Sequence, residues 1–193
     1  MAWVQTPWGY DAEGELEPLI TTADFHELTD HRFAEDARIA TAIAASSNAI
    51  RNWCGWHVAG SVACRATMDG GERRLWLPSN HVTAITSVTV MGDVTSDYQW
   101  NRLGLLRIPR TPDELQAVVV EYEAGYDSVP PEIAELVRDH VERAVSKSRG
   151  IAQETAGSVS ISYAQSYAAA LGGVSLTPTD REVLAPYRLV EAM

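Results

Sequence analysis

Two aspartates and two histidines lie close together near the N-terminus, at Asp24, His26, Asp30 and His31. Carboxylates and imidazoles are common metal ligands, so this group is the first candidate for a metal site. Its spacing matches no established ligand pattern, and acids beside a predicted helix start more often cap the helix or lie in solvent. We therefore interpret these residues as capping acids and surface histidines, and we predict neither a metal site nor a cofactor.

The sequence lacks the usual signatures of catalysis. No serine lies in a Gly-x-Ser-x-Gly elbow, neither Cys54 nor Cys64 has the flanks of a catalytic cysteine, and no glycine-rich phosphate loop is present. Glu121 and Glu123 share one face of a predicted strand and could serve acid–base chemistry, but beside Tyr122 a solvated face is favoured. The pattern therefore predicts that the protein is not an enzyme.

Arginines and an aromatic residue interleave at Arg73-Arg74-Leu75-Trp76, and Arg102, Arg107 and Arg110 follow further along the chain. Such interleaving is the nearest approach in this sequence to a nucleic-acid-binding patch. The favoured interpretation is that these residues alternate between strand faces. If the arginines gather on one side instead, an acid-rich surface of another protein could be their target.

The overall charge argues against DNA binding, because 26 Asp and Glu stand against 15 Lys and Arg, for a net charge of −11. Binding by phosphate neutralisation requires clustered cations. Residues 1–36 hold nine acids and only Arg32 as a cation. The acids are Asp11, Glu13, Glu15, Glu17, Asp24, Glu27, Asp30, Glu35 and Asp36. We expect the protein to repel DNA more than it holds it.

Composition indicates a folded protein, since 46% of the 193 residues are hydrophobic and 21% are charged. No run of about 18 apolar residues could span a bilayer, and the acidic N-terminus lacks the pattern of a signal peptide. Two cysteines are too few for a disulfide framework and match no zinc motif, so we expect both to be reduced and buried. We expect the chain to stay where it is made, without a membrane.

The N-terminal part predicts an arm followed by two helices. Residues 1–20 show neither helical nor strand periodicity. Thr22 is placed to cap a short helix that ends near Leu28, and a longer alanine-rich helix is predicted from about 32 to 53, with Gly55 as its stop. The alanines of this helix would allow another helix to approach closely.

The middle of the chain predicts an antiparallel sheet inserted at about 57–123. Residues 57–67 and 73–77 flank Asp69-Gly70-Gly71, a composition that supports a hairpin. Alternating and β-branched residues predict the other strands, at 82–91, 98–100, 105–108 and 116–122. The predicted fold class is therefore α+β, a helical bundle core with an inserted antiparallel β-sheet and extended N- and C-terminal arms.

The C-terminal part predicts a helix over 131–149 that opens at Pro130-Pro131. A strand follows at Val159, Ile161 and Tyr163, then a linker at 168–175. Thr177-Pro178-Thr179-Asp180 predicts a capped last helix to about residue 184, outside the main core. The predicted organisation is an arm (1–20), a helical core with its β insert (21–150) and a C-terminal extension (151–193).

The order of these elements resembles the head-to-tail connector (adaptor) family of long-tailed bacteriophages, the siphoviruses. The resemblance covers about residues 20–165 and rests on four places. They are the helical pair that ends in Trp53-Cys54-Gly55, the segments 75–78 and 82–90, the run 119–126 before Pro130-Pro131, and the segment 154–163. The acidic arm and the stretch 168–175 depart from the family pattern.

The resemblance implies a structural protein that forms a ring, usually a dodecamer, below the portal. The implied partners are further copies of the chain, the portal protein and a downstream stopper or tail protein. DNA would pass through the ring without specific binding. The implied location is the neck of the virion, after assembly in the host cytoplasm. The acidity suits a channel through which DNA slides, and the alanine-rich helix suits close subunit packing.

Candidate interface residues follow from this resemblance and from the helix patterns. The two long helices are expected to form the contacts of the ring, through Ala37, Ala40, Ile43, Ala44, Leu136 and His140. The portal or another partner is expected to contact a strand with unpaired edges and the apolar anchors of the last helix. These residues are Val159, Ile161, Tyr163, Leu184 and Tyr187.

Three other functions remain open. A tail-completion or stopper protein would share the size and acidity, but its fold would be mainly a β-barrel with minor helices. A small enzyme or ligand-binding domain would need a pocket with converging polar groups. A DNA-packaging factor would need a basic face, which the net charge of −11 makes the weakest of these alternatives.

Overall fold

A computed structural model of the chain describes residues 2–147, 153–156, 159–162 and 174–189. The chain divides into two compact units, each built from segments that are distant in sequence. The first unit combines Met1–Glu17, Arg51–Val129 and Ala185–Met193, and the second combines Pro18–Ile50 and Pro130–Leu184. Sequence patterns instead predict three parts that are each continuous along the chain. No helix in the described ranges is long and apolar enough to cross a membrane.

The first unit is built on antiparallel sheets. Its described residues form nine strands: β1 (Trp3–Gln5), β2 (Tyr10–Glu13), β3 (Val62–Met68), β4 (Arg74–Trp76), β5 (Val82–Val90), β6 (Asp93–Val94), β7 (Gln99–Trp100), β8 (Leu105–Arg107) and β9 (Val118–Ala124). Six of them make one sheet in the order β1-β2-β3-β9-β5-β6, and three make a smaller sheet in the order β4-β8-β7. The α+β class is thus confirmed, but a helical bundle core is not.

The core of the large sheet follows from period-two alternation along its central strands. In β9, Val118, Val120, Tyr122 and Ala124 are buried, while the residues between them are half-buried or exposed. Cys64 pairs directly with Tyr122 across the sheet. Cys54 and Cys64 are both free and buried, as predicted, and burial raises the pKa of each thiol to about 12. Neither thiol is therefore ionised at neutral pH.

The predicted hairpin around Asp69-Gly70-Gly71 is wrong. Strand β3 pairs with β2 and β9, whereas β4 pairs with β8 in the smaller sheet. The Gly70 amide donates to the carbonyl of Glu114, and a side chain at Gly70 would collide with the carbonyl of Pro112. This close approach directs the chain away from β3, so the turn joins two sheets.

The predicted irregular arm is also wrong for most of its length. Residues 3–5 and 10–13 form β1 and β2, which extend the large sheet, and the side chains of Tyr10 and Ala12 are buried. A tight turn joins the two strands, in which the Thr6 amide and hydroxyl both donate to the Tyr10 carbonyl. The strands have three and four residues, too few for alternation to be visible in the sequence.

The second unit contains α1 (Thr22–Leu28), most of α2 (Ala37–Cys54), α3 (Pro131–Lys147) and α4 (Pro178–Leu184), together with the antiparallel hairpin of β10 (Gln153–Ala156) and β11 (Val159–Ser162). The last four residues of α2, from Arg51, belong to the first unit. Tyr163 and residues 168–173 of the predicted linker lie outside the described residues.

Capping residues set the helix boundaries, with two corrections. Thr21, and not Thr22, caps α1, because its hydroxyl accepts from the Asp24 amide while the Asp24 carboxylate accepts from the Thr21 amide. Helix α2 starts at Ala37, later than the predicted residue 32, where Asp36 accepts from the amide of Arg38. It ends where Gly55 adopts the positive φ of 82°.

The last helix does not lie outside the core as predicted. Thr177 and Asp180 form the predicted capping box, and Leu184 is fully buried within the second unit. A 3-10 helix, Ala185–Tyr187, follows and belongs to the first unit. There the amide of Leu189 donates to the carbonyl of Cys54, at 2.9 Å. The C-terminal residues are therefore structural parts of both units.

Candidate functional site

Three helices of the second unit bring a serine, a histidine and an aspartate together. Ser46 lies on α2, His140 on α3 and Asp180 at the start of α4. The Ser46 hydroxyl lies 2.8 Å from Nδ1 of His140, and Nε2 of His140 lies 3.1 Å from a carboxylate oxygen of Asp180. No sequence motif signals this group, which we call the Ser-His-Asp cluster.

The Ser-His-Asp cluster has the residue types of a hydrolase but not the surroundings. Ser46 is fully buried within a helix, and only 5% of His140 is exposed. Serine hydrolases hydrogen-bond the nucleophile to Nε2 and the acid to Nδ1. Here the two nitrogens have the opposite roles. A substrate cannot reach the hydroxyl, so the cluster serves to hold α4 against α3.

Protonation states agree with this structural role. Burial lowers the pKa of His140 below its usual value, so the ring is neutral at pH 7. A neutral ring donates from Nε2 to Asp180 and accepts from the Ser46 hydroxyl at Nδ1. Burial alone would raise the pKa of Asp180, but hydrogen bonds from Thr177 and His140 outweigh it and lower that pKa. No buried side-chain N or O atom of the cluster lacks a hydrogen-bond partner.

Replacing Ser46 by alanine is expected to lower the free energy of unfolding by about 2 kcal/mol, because Nδ1 of His140 loses its buried partner. Urea denaturation measures the change. Thr41→Ala on the exposed face of α2 is the matched control and should change stability by less than about 0.5 kcal/mol. An activated ester that the wild type hydrolyses and the Ser46→Ala variant does not would contradict the structural role.

The residues predicted for the subunit interface fall into two groups. Ala37, Ala40 and Ala44 are exposed along α2 and remain available for contact. Three others lie inside the second unit, with exposed fractions of 2% for Ile43, 8% for Leu136 and 5% for His140. His140 in particular is engaged in the Ser-His-Asp cluster. The part of these residues in a ring stays a prediction.

The residues predicted for partner binding are placed in different surroundings. Val159 and Ile161 lie on β11, which pairs with β10, and Tyr163 is outside the described residues. Leu184 is buried in the second unit, whereas Tyr187 of the first unit is half-buried. The structure therefore does not gather these residues into one described surface, and their contact with a partner stays a prediction.

An aromatic cluster in the first unit packs against residues 185–189, which we call the C-terminal segment. Trp56 is fully buried, and its indole N–H donates to the carbonyl of Tyr187 at 2.6 Å. Ring centroids of Tyr126 and Tyr187 lie 5.7 Å apart, and His81 stacks on Tyr126 at 4.2 Å. Tyr126 belongs to the run 119–126 on which the family resemblance rests. Its role here is to pack the segment that follows α4.

Beside this cluster, the buried histidine of the first unit joins two strands. The hydroxyl of Tyr10 on β2 lies 2.7 Å from Nδ1 of His57, and Nε2 of His57 donates to the carbonyl of Ala124 on β9. Burial lowers the pKa of His57 to about 4 and raises the pKa of Tyr10. The neutral ring therefore accepts from Tyr10 and donates to Ala124. Sequence patterns gave no sign of this contact.

Arginines do gather on the smaller sheet. Arg73, Arg107 and Arg110 line a cleft of about 360 Å³, together with Asp97, Tyr98, Gln99 and Pro109. Arg74 lies directly opposite Arg107 on the neighbouring strand. We call Arg73, Arg74, Arg107 and Arg110 the cationic patch. Three of these arginines thus share one cleft, while Arg74 shares the sheet face of Arg107.

Three of the four side chains first considered for metal binding have other contacts. The Asp24 carboxylate is used in the cap of α1, and the rings of His26 and His31 stack at 6.2 Å. In the described part of the chain, no group of three or more His, Cys, Asp or Glu side chains is arranged to hold a metal ion.

Solved structures share this fold. One is the neck of a native GTA particle computed with C12 symmetry, with a TM-score of 0.55 and 14% identity over 93% of this chain and 98% of that chain. Another is the neck of an empty GTA particle computed with C6 symmetry, with a TM-score of 0.59 and 15% identity over 95% of this chain and 97% of that chain. No curated protein matches the chain.

A family model described as head completion protein matches residues 18–188. The match includes the whole of α1 to α4, the strands β3 to β11 and the residues of the aromatic cluster. It therefore spans both compact units and most of the chain. The chain belongs to the head completion protein family.

Proposed function

We propose that this protein is a non-enzymatic adaptor that forms a ring in the neck of a tailed phage or related particle and joins the capsid to the tail. The observation that carries the proposal is the family match over residues 18–188. Membership of the head completion family confirms the predicted structural role at the junction of head and tail. It agrees with the shared fold of neck proteins and with a location in the virion neck.

A ring is supported by two observations. The neck structures with the same fold were computed with C12 and C6 symmetry, which are the symmetries of closed rings. On this chain, Ala37, Ala40 and Ala44 are exposed along one helix, where small side chains let a neighbouring subunit approach closely. We propose that this face of α2 contributes to the contact between neighbouring subunits.

The charge supports passage of DNA through the ring. A net charge of −11 disfavours tight binding to phosphates, so DNA could slide past the subunits. The proposed partners are a portal ring on the capsid side and a stopper or tail protein on the other side. The edges of the β10–β11 hairpin are a proposed contact for one of them, because a strand edge without a pairing partner among the described residues can extend a partner's sheet.

Size-exclusion chromatography with light scattering tests the proposal on the purified chain, alone and mixed with portal rings. A ring-sized species, formed spontaneously or on the portal, is expected. Introducing arginine at two positions of α2, as Ala40→Arg with Ala44→Arg, should abolish it, because bulky charges would separate the helices. The matched control, Ala40→Ser with Ala44→Ser, keeps the side chains small and should form rings.

Two results would contradict the proposal. A chain that stays monomeric in every condition and ignores portal rings is not an adaptor. Rings that form equally well with the arginine variant would leave the adaptor role in place but would exclude the alanine face of α2 as a subunit contact.

A further inference from the structure

The cationic patch stands out in an acidic protein. Residues 73–110 contain five arginines and only two acids, Asp93 and Asp97. All four arginines of the patch are exposed. In the ranges that the structure describes, none of the four forms an ion pair. The patch is thus a local excess of positive charge, with Asp97 as the one acid that lines the same cleft.

Folding does not require this arrangement of charge. The buried side of the smaller sheet is supplied by Leu75 and Leu106, which pair across β4 and β8. Arg74 and Arg107 pair directly across the same strands, and like charges in such positions are destabilising. A surface that lowers the stability of its own sheet points to a ligand of opposite charge.

Aromatic side chains flank the patch. Trp76 follows Arg74 by two residues on β4, so both lie on one face of the sheet, and 50% of Trp76 is exposed. Tyr98, which is half-buried, lines the cleft beside the arginines. Exposed tryptophans and arginines are the residues most enriched at the centres of protein interfaces, where they exclude water from charged contacts. The patch therefore has the composition of a protein-binding surface.

An acidic surface, opposite in charge to the cationic patch, lies on the same unit. We call Glu13, Glu15 and Glu17, at the end of β2 and beyond it, the acidic segment. Glu15 and Glu17 are exposed, and none of the three forms an ion pair within the described residues. Asp11 lies opposite Arg65 in the register of β2 and β3, and the ion pair of Arg65 is with Glu121.

We propose that the cationic patch of one subunit binds the acidic segment of the next copy of this chain. The inference rests on the proposed ring, because a ring joins two different faces of each subunit head to tail. Arginine is suited to the contact, since its guanidinium forms paired hydrogen bonds with carboxylates. DNA is the less suitable occupant, because the chain as a whole carries a charge of −11.

Charge reversal and restoration test this contact. The patch variant is Arg107→Glu with Arg110→Glu, the acidic-segment variant is Glu15→Arg with Glu17→Arg, and the third chain carries all four changes. Each reversal alone should raise the concentration needed for half-assembly about tenfold or more, because like charges then face each other. The chain with all four changes should assemble again, since every contact regains opposite charges.

The control is Arg102→Glu, which changes an exposed arginine of the same segment that does not line the cleft. It should assemble like the wild type. Light scattering over a range of protein concentrations, at low and at high salt, measures assembly. Circular dichroism confirms that each variant is folded. Wild-type assembly through this contact should weaken as salt increases.

Each other outcome has a defined meaning. If rings form and neither reversal affects them, the proposed contact is wrong while the ring stands. If the patch variant assembles normally but loses binding to single-stranded DNA that the wild type shows, the occupant is DNA and the proposal is overturned. If the wild type forms no ring alone or on portals, the proposed function fails together with this contact.

Discussion

Replacing Trp56 by alanine is expected to lower the free energy of unfolding by about 4 kcal/mol, because a fully buried indole leaves a large cavity. The loss also breaks the hydrogen bond from the indole N–H to the carbonyl of Tyr187. Equilibrium denaturation in urea, followed by circular dichroism, measures the change. An effect this large should approach the total stability of a small unit.

Trp56→Phe is the matched control. Phenylalanine keeps most of the buried ring but cannot donate to Tyr187, so the expected loss is about 2 kcal/mol. The variant should also expose the segment after α4 to limited proteolysis, since one of its contacts is lost. A Trp56→Ala protein within about 1 kcal/mol of the wild type would show that the indole does not hold this segment.

Acidification from pH 7 to pH 4 is expected to lower the stability by about 3 kcal/mol through His57 alone, because one pKa unit corresponds to about 1.4 kcal/mol. Burial lowers the pKa of His57 to about 4 in the folded protein, whereas an unfolded histidine titrates near 6.5. Between these values the unfolded chain binds a proton that the folded chain does not. The contribution of neutral His57 to the free energy of unfolding is therefore fully present above pH 6.5 and declines as the pH falls toward 4.

His140 adds to the same trend, because its pKa is also lowered in the folded protein. The free energy of unfolding should be measured by urea denaturation at several pH values. His57→Gln removes the titrating group while keeping an amide that can donate and accept, so the slope between pH 6.5 and 4 should become shallower. An unchanged slope in this variant would assign the pH dependence to other groups.

Local patterns predicted the helices well, because caps act over three or four residues. Thr177 and Asp180 mark the start of α4 in the sequence, and Pro131 marks the start of α3. Strand positions in the middle of the chain also followed from alternation. Their partners did not, because the choice between β2, β8 and β9 depends on contacts such as Gly70 to Glu114 that join distant residues.

Local sequence patterns could not predict the buried side-chain contacts, because these contacts also join residues that are distant in sequence. Ser46 and His140 are 94 residues apart, and His140 and Asp180 are 40 apart. Each residue alone fits an ordinary helix, and only the packing of α2, α3 and α4 gives them a shared role. His140 was predicted for the subunit interface, which stays a prediction, whereas its buried role in the Ser-His-Asp cluster was not predicted. The arginines of the cationic patch were visible in the sequence, but their approach to one another depends on how β4 and β8 pair.

The family, in contrast, followed from the order of elements. The segments around Trp53-Cys54-Gly55 and Val119–Tyr126 resemble the head-to-tail connectors, and the family match over residues 18–188 agrees. In the structure these two segments lie at the end of α2 and along β9, next to the aromatic cluster. They carry the resemblance because they build the part of the first unit that holds the C-terminal segment.

The long span of that contact affects how the protein is made. Trp56 and the Tyr187 carbonyl are 131 residues apart, so the first unit cannot form this hydrogen bond until the ribosome has added residue 187. At about 5–20 residues per second, the nascent chain spends several seconds with its early indole uncovered. Leu184 imposes the same delay on the second unit. Both units therefore complete their packing only after nearly the whole chain has been translated.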